Sequence, residues 1–425
     1  MIKQPAPPDI APPPLRNDCF ALPAGVNWTP VNEALALLRE RLRPVKAAIS
    51  MRSVRAFGDI LATDVVAARS NPPQPNSAVD GYGFAGAIPE GAHVFPLAEG
   101  RAAAGVPFNG TVPAGQAIRV LTGAALPAGV NTVILEEDVN VRDGHIAFHG
   151  PLKLRANTRQ AGEDVKAGDL VLPAGRRLTS ADIGLLAAVG VAEVNVYAPL
   201  RVAVMSTGDE LVSPGEPAGL GQIFDANRPM LLSLVEQMGF EPVDLGRVGD
   251  DPDVLRARLD KAAEQADVIL TSGGASAGDE DHVSGLLRQA GAMQQWRIAL
   301  KPGRPLALGM WNGAPVFGLP GNPVAALVCT LIFARPALSL MAGAGWQMPL
   351  GFDLPAAFEK RKKPGRREYL RARVRDGRVE AFHSEGSGRI SGLSWSEGLV
   401  EIEDGARHIA PGDPVRFIPY SSFNL

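Results

Sequence analysis

The sequence predicts a multidomain protein that combines an α/β domain with β-rich domains, and three observations lead to this fold class. The chain has 425 residues, which is too long for one typical hydrophobic core, so about three or four domains are expected. From Leu200 onward, short apolar strands alternate with helical segments, the pattern of a parallel sheet with helical crossovers. Residues 84–150 and those beyond Arg361 instead carry short apolar runs separated by Gly and Pro, which is typical of β structure.

Composition excludes several classes of protein. A hydrophobic share of 46% with 20% charged residues is that of a soluble globular protein. The net charge of −3 gives no reason to expect binding to nucleic acid or to an anionic membrane. Cys19 and Cys329 cannot form a disulfide framework, and no signal-peptide pattern opens the chain, so a cytoplasmic location is expected. The apolar run 324–334 ends at Arg335-Pro336 and is too short to span a bilayer, so it predicts a buried helix.

The N-terminal elements follow from local signals. Residues 1–20 form a Pro-rich tail without an apolar period, which predicts disorder. Thr29 is expected to cap a helix with Pro30 at its first position. After a Pro-rich break, Asn76-Ser-Ala-Val-Asp-Gly-Tyr-Gly83 is a polar loop, and its simplest interpretation is an ordinary turn.

Further turns and caps follow along the chain. A strand from Arg119 ends in a Thr-Gly turn at Thr122, and Asn157-Thr-Arg-Gln-Ala-Gly-Glu-Asp164 is a second polar loop. Thr179-Ser-Ala-Asp182 predicts the start of a helix that ends at Gly190.

The α/β region is predicted element by element. The apolar periods place three strands and three helices in alternation. They are strand 202–205, helix 229–238, strand 242–245, helix 253–264, strand 268–270 and helix 283–289. The region is expected to end near Ala334, and the short repeats that follow predict a compact β-barrel.

Four turns at strand ends are candidates for an anion site. They are Ser206-Thr-Gly-Asp-Glu210, Ser272-Gly-Gly274, Lys301-Pro-Gly-Arg-Pro305 and Gly318-Leu-Pro-Gly-Asn-Pro323. Open α/β sheets bind ligands at the carboxyl ends of their strands, and Gly-rich turns expose backbone N–H groups to phosphate.

Two charged clusters accompany these turns, and each has two interpretations. The acids Asp209 and Glu210, with Asp279 to Asp281 farther along, could hold a divalent cation such as Mg²⁺. They could equally cap helix N-termini. Lys301, with Arg297 and Arg304, could bind phosphate or a small oxyanion, or could form a solvated charged face.

Taken together, these stretches resemble the MoeA family, the molybdopterin molybdenumtransferases, whose eukaryotic relatives include the gephyrin E domain. The resemblance runs from about Thr29 to Ile418. Its motifs occur in the family's order: Asn76-Ser-Ala-Val-Asp-Gly-Tyr82, Thr122-Gly-Ala124, Asn157-Thr-Arg-Gln-Ala-Gly-Glu-Asp164, Ser206-Thr-Gly-Asp-Glu210, Ser272-Gly-Gly274 with Asp281, and Leu319-Pro-Gly-Asn-Pro323.

The resemblance implies a fold and an assembly. It implies an elongated N-terminal domain with an inserted β-rich domain, a MogA/MoaB-like three-layer α/β molybdopterin-binding domain and a C-terminal β-barrel. The expected boundaries are 21–66 with 161–198, then 67–160, 199–338 and 339–425. The family forms homodimers with the active cleft between subunits.

The resemblance also implies the reaction. The family takes adenylylated molybdopterin and molybdate, releases AMP and leaves molybdenum on the dithiolene, with a molybdopterin adenylyltransferase as the upstream partner. The implied catalytic residues are Asp80, Thr122, Glu210, Asp250, Asp281 and Lys301. Mg²⁺ would be held by Glu210 and Asp281. The implied substrate-binding residues are Ser206, Thr207, Gly208, Ser272, Gly273, Gly274, Arg297, Arg304, Pro320, Gly321, Asn322, Pro323, Arg371 and Ser387.

Departures from the family pattern leave alternatives open. Val79 and Gly83 stand where the family more often has Met and Ala, and Arg297 and Arg304 stand where Lys is frequent. A non-catalytic gephyrin-like scaffold is one alternative, against which the intact Glu210, Asp281 and Lys301 speak. Another enzyme on the same α/β fold is a second alternative, and Arg371 with Ser387 speaks against it.

Overall fold

The computed structural model describes residues 28–273, 282–290, 293–303, 305–423 and 425. The predicted disordered tail, Gly274, Asp281 and Arg304 therefore lie outside the described residues. The chain divides into two compact units, one formed by residues up to 42 with 201–338 and 348–425, the other by 43–200 with 339–347. The first unit contains the predicted α/β sheet and the C-terminal β strands, and the second unit is mostly β structure. The predicted boundaries of the four domains stay a prediction.

The first helix, α1 (Val31–Arg41), begins one residue away from the predicted position. Its buried face is Val31, Ala34, Leu35 and Leu38. The N-cap is Pro30, and no side chain caps the helix. The predicted Thr29 cap is wrong because the Thr29 backbone forms a β-bridge with Ile298 instead.

The second unit is mostly β structure. Its helix is α2 (Ser180–Ala188), and its strands are β1 (Ala48–Arg52), β2 (Val65–Val66), β3 (Asn76–Ser77), β4 (Gly81–Phe84), β5 (Ile88–Ala102), β6 (Ala117–Val120), β7 (Thr132–Leu135), β8 (Val139–Arg142), β9 (His145–Leu152), β10 (Thr158–Arg159), β11 (Leu170–Leu172) and β12 (Glu193–Tyr197). Six strands form one sheet in the order β7-β4-β6-β5-β9-β8. The antiparallel pairs β1–β12, β2–β11 and β3–β10 join the chain before this sheet to the chain after it.

The predicted start of α2 is confirmed. Thr179 caps the helix in a capping box with Asp182, whose Oδ2 accepts a hydrogen bond from the Thr179 backbone N–H at 2.8 Å. Gly190 follows the helix at φ +75°, a conformation that glycine adopts without strain.

The α/β part of the first unit contains strands β13 to β21 and helices α3 to α7. The strands are β13 (Arg201–Thr207), β14 (Leu211–Val212), β15 (Ile223–Phe224), β16 (Glu241–Val248), β17 (Val268–Ser272), β18 (Met293–Arg297), β19 (Leu300–Lys301), β20 (Pro305–Trp311) and β21 (Ala314–Leu319). The helices are α3 (Asn227–Gln237), α4 (Pro252–Gln265), α5 (His282–Gln289), α6 (Pro323–Cys329) and α7 (Arg335–Met341).

The predicted alternation is confirmed, and the predicted parallel sheet is confirmed for four of its six strands. The order is β16-β13-β17-β21-β20-β18. Strands β16, β13, β17 and β21 form parallel pairs, whereas β20 runs the opposite way and pairs antiparallel with both β21 and β18. The reason is the two-residue turn Asn312-Gly313, with φ of +45° and +87°, which joins β20 to β21. Asn-Gly is the strongest short hairpin signal.

The predicted buried helix is longer than expected. It runs continuously from Pro323 to Met341, 19 residues, through a π-helical turn at Thr330–Ala334. The prediction that Arg335-Pro336 ends the helix is wrong, since an irregular turn beside a proline lets a helix continue. By length and composition this is the one helix among the described residues that could cross a membrane. Yet 94% of its most apolar stretch is buried inside the protein, as in a core helix.

The C-terminal part of the first unit is mostly β structure, with a short helix, α8 (Ser391–Trp395), and a 3-10 turn at Tyr420–Phe423. Its strands are β22 (Phe352–Pro355), β23 (Lys360–Lys362), β24 (Arg367–Arg375), β25 (Arg378–Ala381), β26 (Gly398–Ile402), β27 (Arg407–Ile409) and β28 (Pro414–Pro419). Five strands follow the order β19-β24-β26-β28-β22, with β25 paired to β24. Because β19 comes from the α/β part, Lys301 pairs with Glu368 at the edge of the C-terminal sheet.

Candidate functional site

Three of the predicted turns lie at one edge of the α/β sheet. Ser206 pairs with Ser272 between β13 and β17, and Ser272 pairs with Leu319 between β17 and β21. The Gly273 N–H donates to the Leu319 carbonyl oxygen at 3.2 Å. The residues predicted from the strand-end rule therefore stand side by side, as parallel strands require.

Glycine is required where these turns approach each other. Gly273 has φ +93°, and a Cβ there would lie 2.7 Å from the Thr207 carbonyl oxygen and 2.8 Å from its Oγ1. Gly321 is also close, since a Cβ on it would lie 4.0 Å from the Gly273 Cα. A side chain would not fit at this contact, so the two turns meet through their backbones.

Asn227, the first residue of α3, belongs to the site although no sequence motif predicts it. Its Nδ2 donates to the Ser272 Oγ and to the Gly321 carbonyl oxygen, both at 2.7 Å, and so ties two of the turns together. Its Oδ1 is buried and accepts no hydrogen bond from the described residues, and the Ser206 and Thr271 hydroxyls likewise have no partner there. Unpaired buried polar groups are costly, about 1–3 kcal/mol each. Such groups are typical of a site that a ligand completes.

The acidic residues of the edge divide into two kinds. Asp209 and Asp250 bond each other's backbone, with the Asp250 N–H donating to the Asp209 Oδ1 at 3.1 Å and the Asp209 N–H donating to the Asp250 Oδ2 at 3.3 Å. Glu210 is exposed, and its carboxylate accepts no hydrogen bond from the described residues. A Cβ on Gly208 would lie 2.4 Å from the Glu210 Oε2, so this carboxylate folds back over the turn. The described residues contain no group of three or more potential metal ligands.

Lys301 lines a cavity of about 210 Å³ between β19 and the C-terminal β domain. Its Nζ lies 2.5 Å from the Glu385 Oε2 and 3.5 Å from the Glu368 Oε1. Lys360, Arg371 and Ser384 line the same cavity. Arg297, from the predicted basic cluster, is the last residue of β18, and its side chain lies outside the described part of the protein.

Arg371 is buried, and its guanidinium organises a loop, residues 384–389. It donates to the carbonyl oxygens of Arg389 at 2.6 Å, of Gly386 at 3.2 Å and of Ser384, and it stacks over Phe382. Burial lowers the pKa of Arg371 from its ordinary value. The side chain of Arg371 thus positions the loop that carries Ser387.

The same loop lies against the turn before α6. The Val324 N–H donates to the Ser387 carbonyl oxygen at 3.2 Å, and a Cβ on Gly388 would lie 4.0 Å from the Asn322 Oδ1. Asn322 is the N-cap residue, and Pro323 occupies the first turn of α6, as predicted. The predicted residues Pro320 to Pro323 and Ser387 are therefore neighbours.

Asp80 and Thr122 form a separate pair in the second unit. The Thr122 backbone N–H and hydroxyl both donate to the Asp80 Oδ1, at 2.6 Å and 2.7 Å. The Thr122 side chain and then its backbone N–H lower the pKa of Asp80 from its ordinary value of 3.8. Both groups are exposed, so the carboxylate stays ionised and available at neutral pH.

Replacing Thr122 with valine is expected to raise the pKa of Asp80, since it removes the hydroxyl donor and keeps the backbone donor. A lowered folded-state pKa means that the pair stabilises the fold above pH 3.8, and that this contribution is lost as the pH falls through the folded value. Carboxyl ¹³C shifts across a pH titration measure the pKa. Thr111→Val is the control, and an Asp80 pKa that is the same in both variants would contradict the assignment.

Comparison with known proteins gives three family matches. Residues 29–190 match the MoeA N-terminal region, domains I and II. Residues 203–340 match a probable molybdopterin binding domain, and residues 353–420 match the MoeA C-terminal region, domain IV.

Individual relatives match along nearly the whole chain. A molybdopterin molybdenumtransferase of Haemophilus influenzae is 36% identical over 373 residues, covering 86% of this chain and 92% of the relative. Molybdopterin molybdenumtransferase 2 of Mycobacterium tuberculosis is 34% identical, covering 90% and 97%. The solved structure of a molybdopterin biosynthesis MoeA protein from Pyrococcus horikoshii OT3 superposes with a TM-score of 0.81 at 28% identity, covering 93% of this chain and 100% of that one.

Proposed function

The chain belongs to the MoeA family and is a molybdopterin molybdenumtransferase of molybdenum cofactor biosynthesis, and on this premise we propose how its residues carry the reaction. Adenylylated molybdopterin binds at the sheet edge formed by Ser206 to Gly208, Ser272 with Gly273, and Pro320 to Asn322. Molybdate binds in the adjoining cavity at Lys301. AMP leaves, and molybdenum remains on the dithiolene.

One observation supports this division most strongly. The strand-end turns are in register at one edge, and the loop 384–389 brings the Lys301 cavity against the turn that ends β21. Turn backbone suits a phosphate, and a cation in a partly closed cavity suits a compact oxyanion. The phosphate site at the sheet edge and the oxyanion site in the Lys301 cavity are therefore neighbours within the first unit.

Mg²⁺ fits the donor set of the edge. Mg²⁺ takes one or two carboxylates and completes its shell with water and phosphate oxygens. Glu210 supplies an exposed carboxylate without competing hydrogen bonds from the described residues, and we propose Asp281 as the second ligand. When bound, the ion would neutralise pyrophosphate charge.

The remaining site residues, the location and the partners also belong to the proposal. Asp80 and Thr122 act from the partner subunit of a homodimer, a role that the resemblance to the family implies. Asp250 fixes the Glu210 turn through its bonds with Asp209. Arg297, Arg304 and Gly274 complete the phosphate site. The protein works in the cytoplasm, receives its substrate from a molybdopterin adenylyltransferase and binds neither nucleic acid nor membrane.

The test is molybdate-dependent AMP release from adenylylated molybdopterin in the presence of Mg²⁺. The wild type is expected to release AMP faster when molybdate is added. Glu210→Gln is expected to slow release at least about tenfold at low Mg²⁺, with partial recovery at high Mg²⁺, because one ligand of a weakly held ion is lost. Glu236→Gln, on the exposed face of α3, is the matched control. A rate of AMP release by the wild type that is the same with and without molybdate would refute the function.

A further inference from the structure

Four charged side chains of alternating sign cluster at Lys301, and three of them, Lys301, Lys360 and Glu385, line its cavity. Glu385 bridges two lysines, with its Oε2 on the Lys301 Nζ at 2.5 Å and its Oε1 on the Lys360 Nζ. Glu368 repeats the arrangement from the other side, 3.5 Å from Lys301 and 3.0 Å from Lys360. Of these four residues, the sequence predicts a role only for Lys301.

The four side chains differ in burial, and this difference decides which of them can move. The side chains of Lys360 and Glu368 are each only 8% exposed, whereas that of Glu385 is 47% exposed. Lys360 is the first residue of strand β23, and Glu368 lies in strand β24. Glu385 stands on the loop 384–389, whose backbone Arg371 holds in place. Its side chain can therefore turn toward solvent without any change in the loop.

The lysine and the glutamate hold each other in the charged state. Burial alone would lower the pKa of Lys360, but hydrogen bonds with Glu385 and Glu368 raise it. Burial alone would raise the pKa of Glu385, but hydrogen bonds from Lys301 and Lys360 lower it. Lys360 is thus a buried cation at neutral pH, at a position where it faces the cavity.

A carboxylate that places one oxygen on each of two ammonium groups occupies the position that two oxygens of a tetrahedral dianion would take. We propose that Lys360 is the second cation of the oxyanion site and that Glu385 occupies this site as an internal competitor until molybdate displaces it. The inference rests on the proposed function of the cavity. It makes Glu385 a residue that sets the affinity of the site for dianions.

Charge explains why displacement is required. The two lysines and two glutamates sum to zero, so a dianion that entered beside Glu385 would add two negative charges to a neutral cluster. Moving the Glu385 carboxylate into water removes one of the two carboxylate partners of each lysine, while the buried Glu368 stays paired with both. The Glu385 carboxylate therefore weakens the binding of any dianion by the free energy needed to move this carboxylate away from the two lysines.

Calorimetric titration of the full chain with sodium molybdate tests the proposal. Glu385→Gln removes the negative charge, keeps the shape and is expected to tighten binding about tenfold, whereas Lys360→Met is expected to weaken it about tenfold. Glu397→Gln is the matched control, because Glu397 is similarly exposed and paired with Arg375 away from the cavity. The gain in Glu385→Gln is expected for sulfate as well, since the competitor acts on charge.

Kinetics separates this role from a structural one. In Glu385→Gln the KM for molybdate should fall about tenfold with little change in kcat, a split that general loosening of the loop would not produce. Unchanged or weaker molybdate binding by Glu385→Gln would overturn the proposal even if Lys360→Met did not fold. The proposed function fails separately, if the wild type shows no molybdate-dependent AMP release, whatever the titrations give.

Discussion

Replacing Arg371 with alanine is expected to lower the free energy of unfolding by about 3 kcal/mol and to remove most of the transferase activity. The guanidinium is buried and donates to three carbonyl oxygens of the loop 384–389. Without it these carbonyls lose their charged partner, and the loop that carries Glu385 and Ser387 loses its position. Urea denaturation followed by fluorescence, with AMP release measured alongside, gives both quantities.

Two further variants separate charge from geometry. Arg371→Lys keeps the charge but lacks the planar fork that reaches three acceptors, so activity and stability should stay well below wild type. Arg373→Ala is the matched control on the same strand, where the arginine stacks on Trp395 and pairs with Glu380 at the surface. Its cost should stay near 1 kcal/mol or less. An Arg371→Ala protein as stable and active as Arg373→Ala would refute the positioning role.

Replacing Gly273 with alanine is expected to reduce kcat/KM at least about a hundredfold, which corresponds to about 2.7 kcal/mol of lost transition-state stabilisation. The new Cβ would lie 2.7 Å from the Thr207 carbonyl oxygen, and the φ of +93° is strained for alanine. The backbone must shift, and Ser272 and the facing Gly321 turn must move with it. Steady-state kinetics with the thermal midpoint checks this expectation.

Gly313 offers a control with nearly the same φ angle. It has φ +87° and no atom within 4 Å of an added Cβ. Gly313→Ala therefore introduces backbone strain of about 1–2 kcal/mol but no steric clash. Its activity should remain near wild type. If the two alanine variants lost stability and activity equally, the close approach of the turns would have no part in the function.

The sheet edge could be predicted because its causes are local. Apolar runs mark strands β13, β17 and β21, and the Gly-rich segment after each run marks a turn. Parallel strands then bring such turns to one edge whatever the rest of the chain does. The antiparallel pair β20–β21 was not predicted, although Asn312-Gly313 is a local hairpin signal. The strand–helix alternation before it was assumed to continue through these two strands.

The cavity could not be predicted in the same way, because tertiary pairing creates it. Lys301 meets Glu368 only because the short strand β19 leaves the α/β part and joins the C-terminal sheet. Nothing local to Lys360, Glu385 or Arg371 shows that the three meet at this cavity. Asn227 was missed for the same reason, since its two partners come from turns far away in the sequence.

The most direct measurement of the central claim is a crystal structure of the protein soaked in molybdate and AMP, with anomalous diffraction locating molybdenum. We expect one strong molybdenum peak in the cavity beside Lys301, with Lys360 and the Ser387 loop around it and the nucleotide at the Gly273 turn. Glu385 should have turned away. A molybdenum peak elsewhere in crystals of active protein, with this cavity still closed by Glu385, would contradict it.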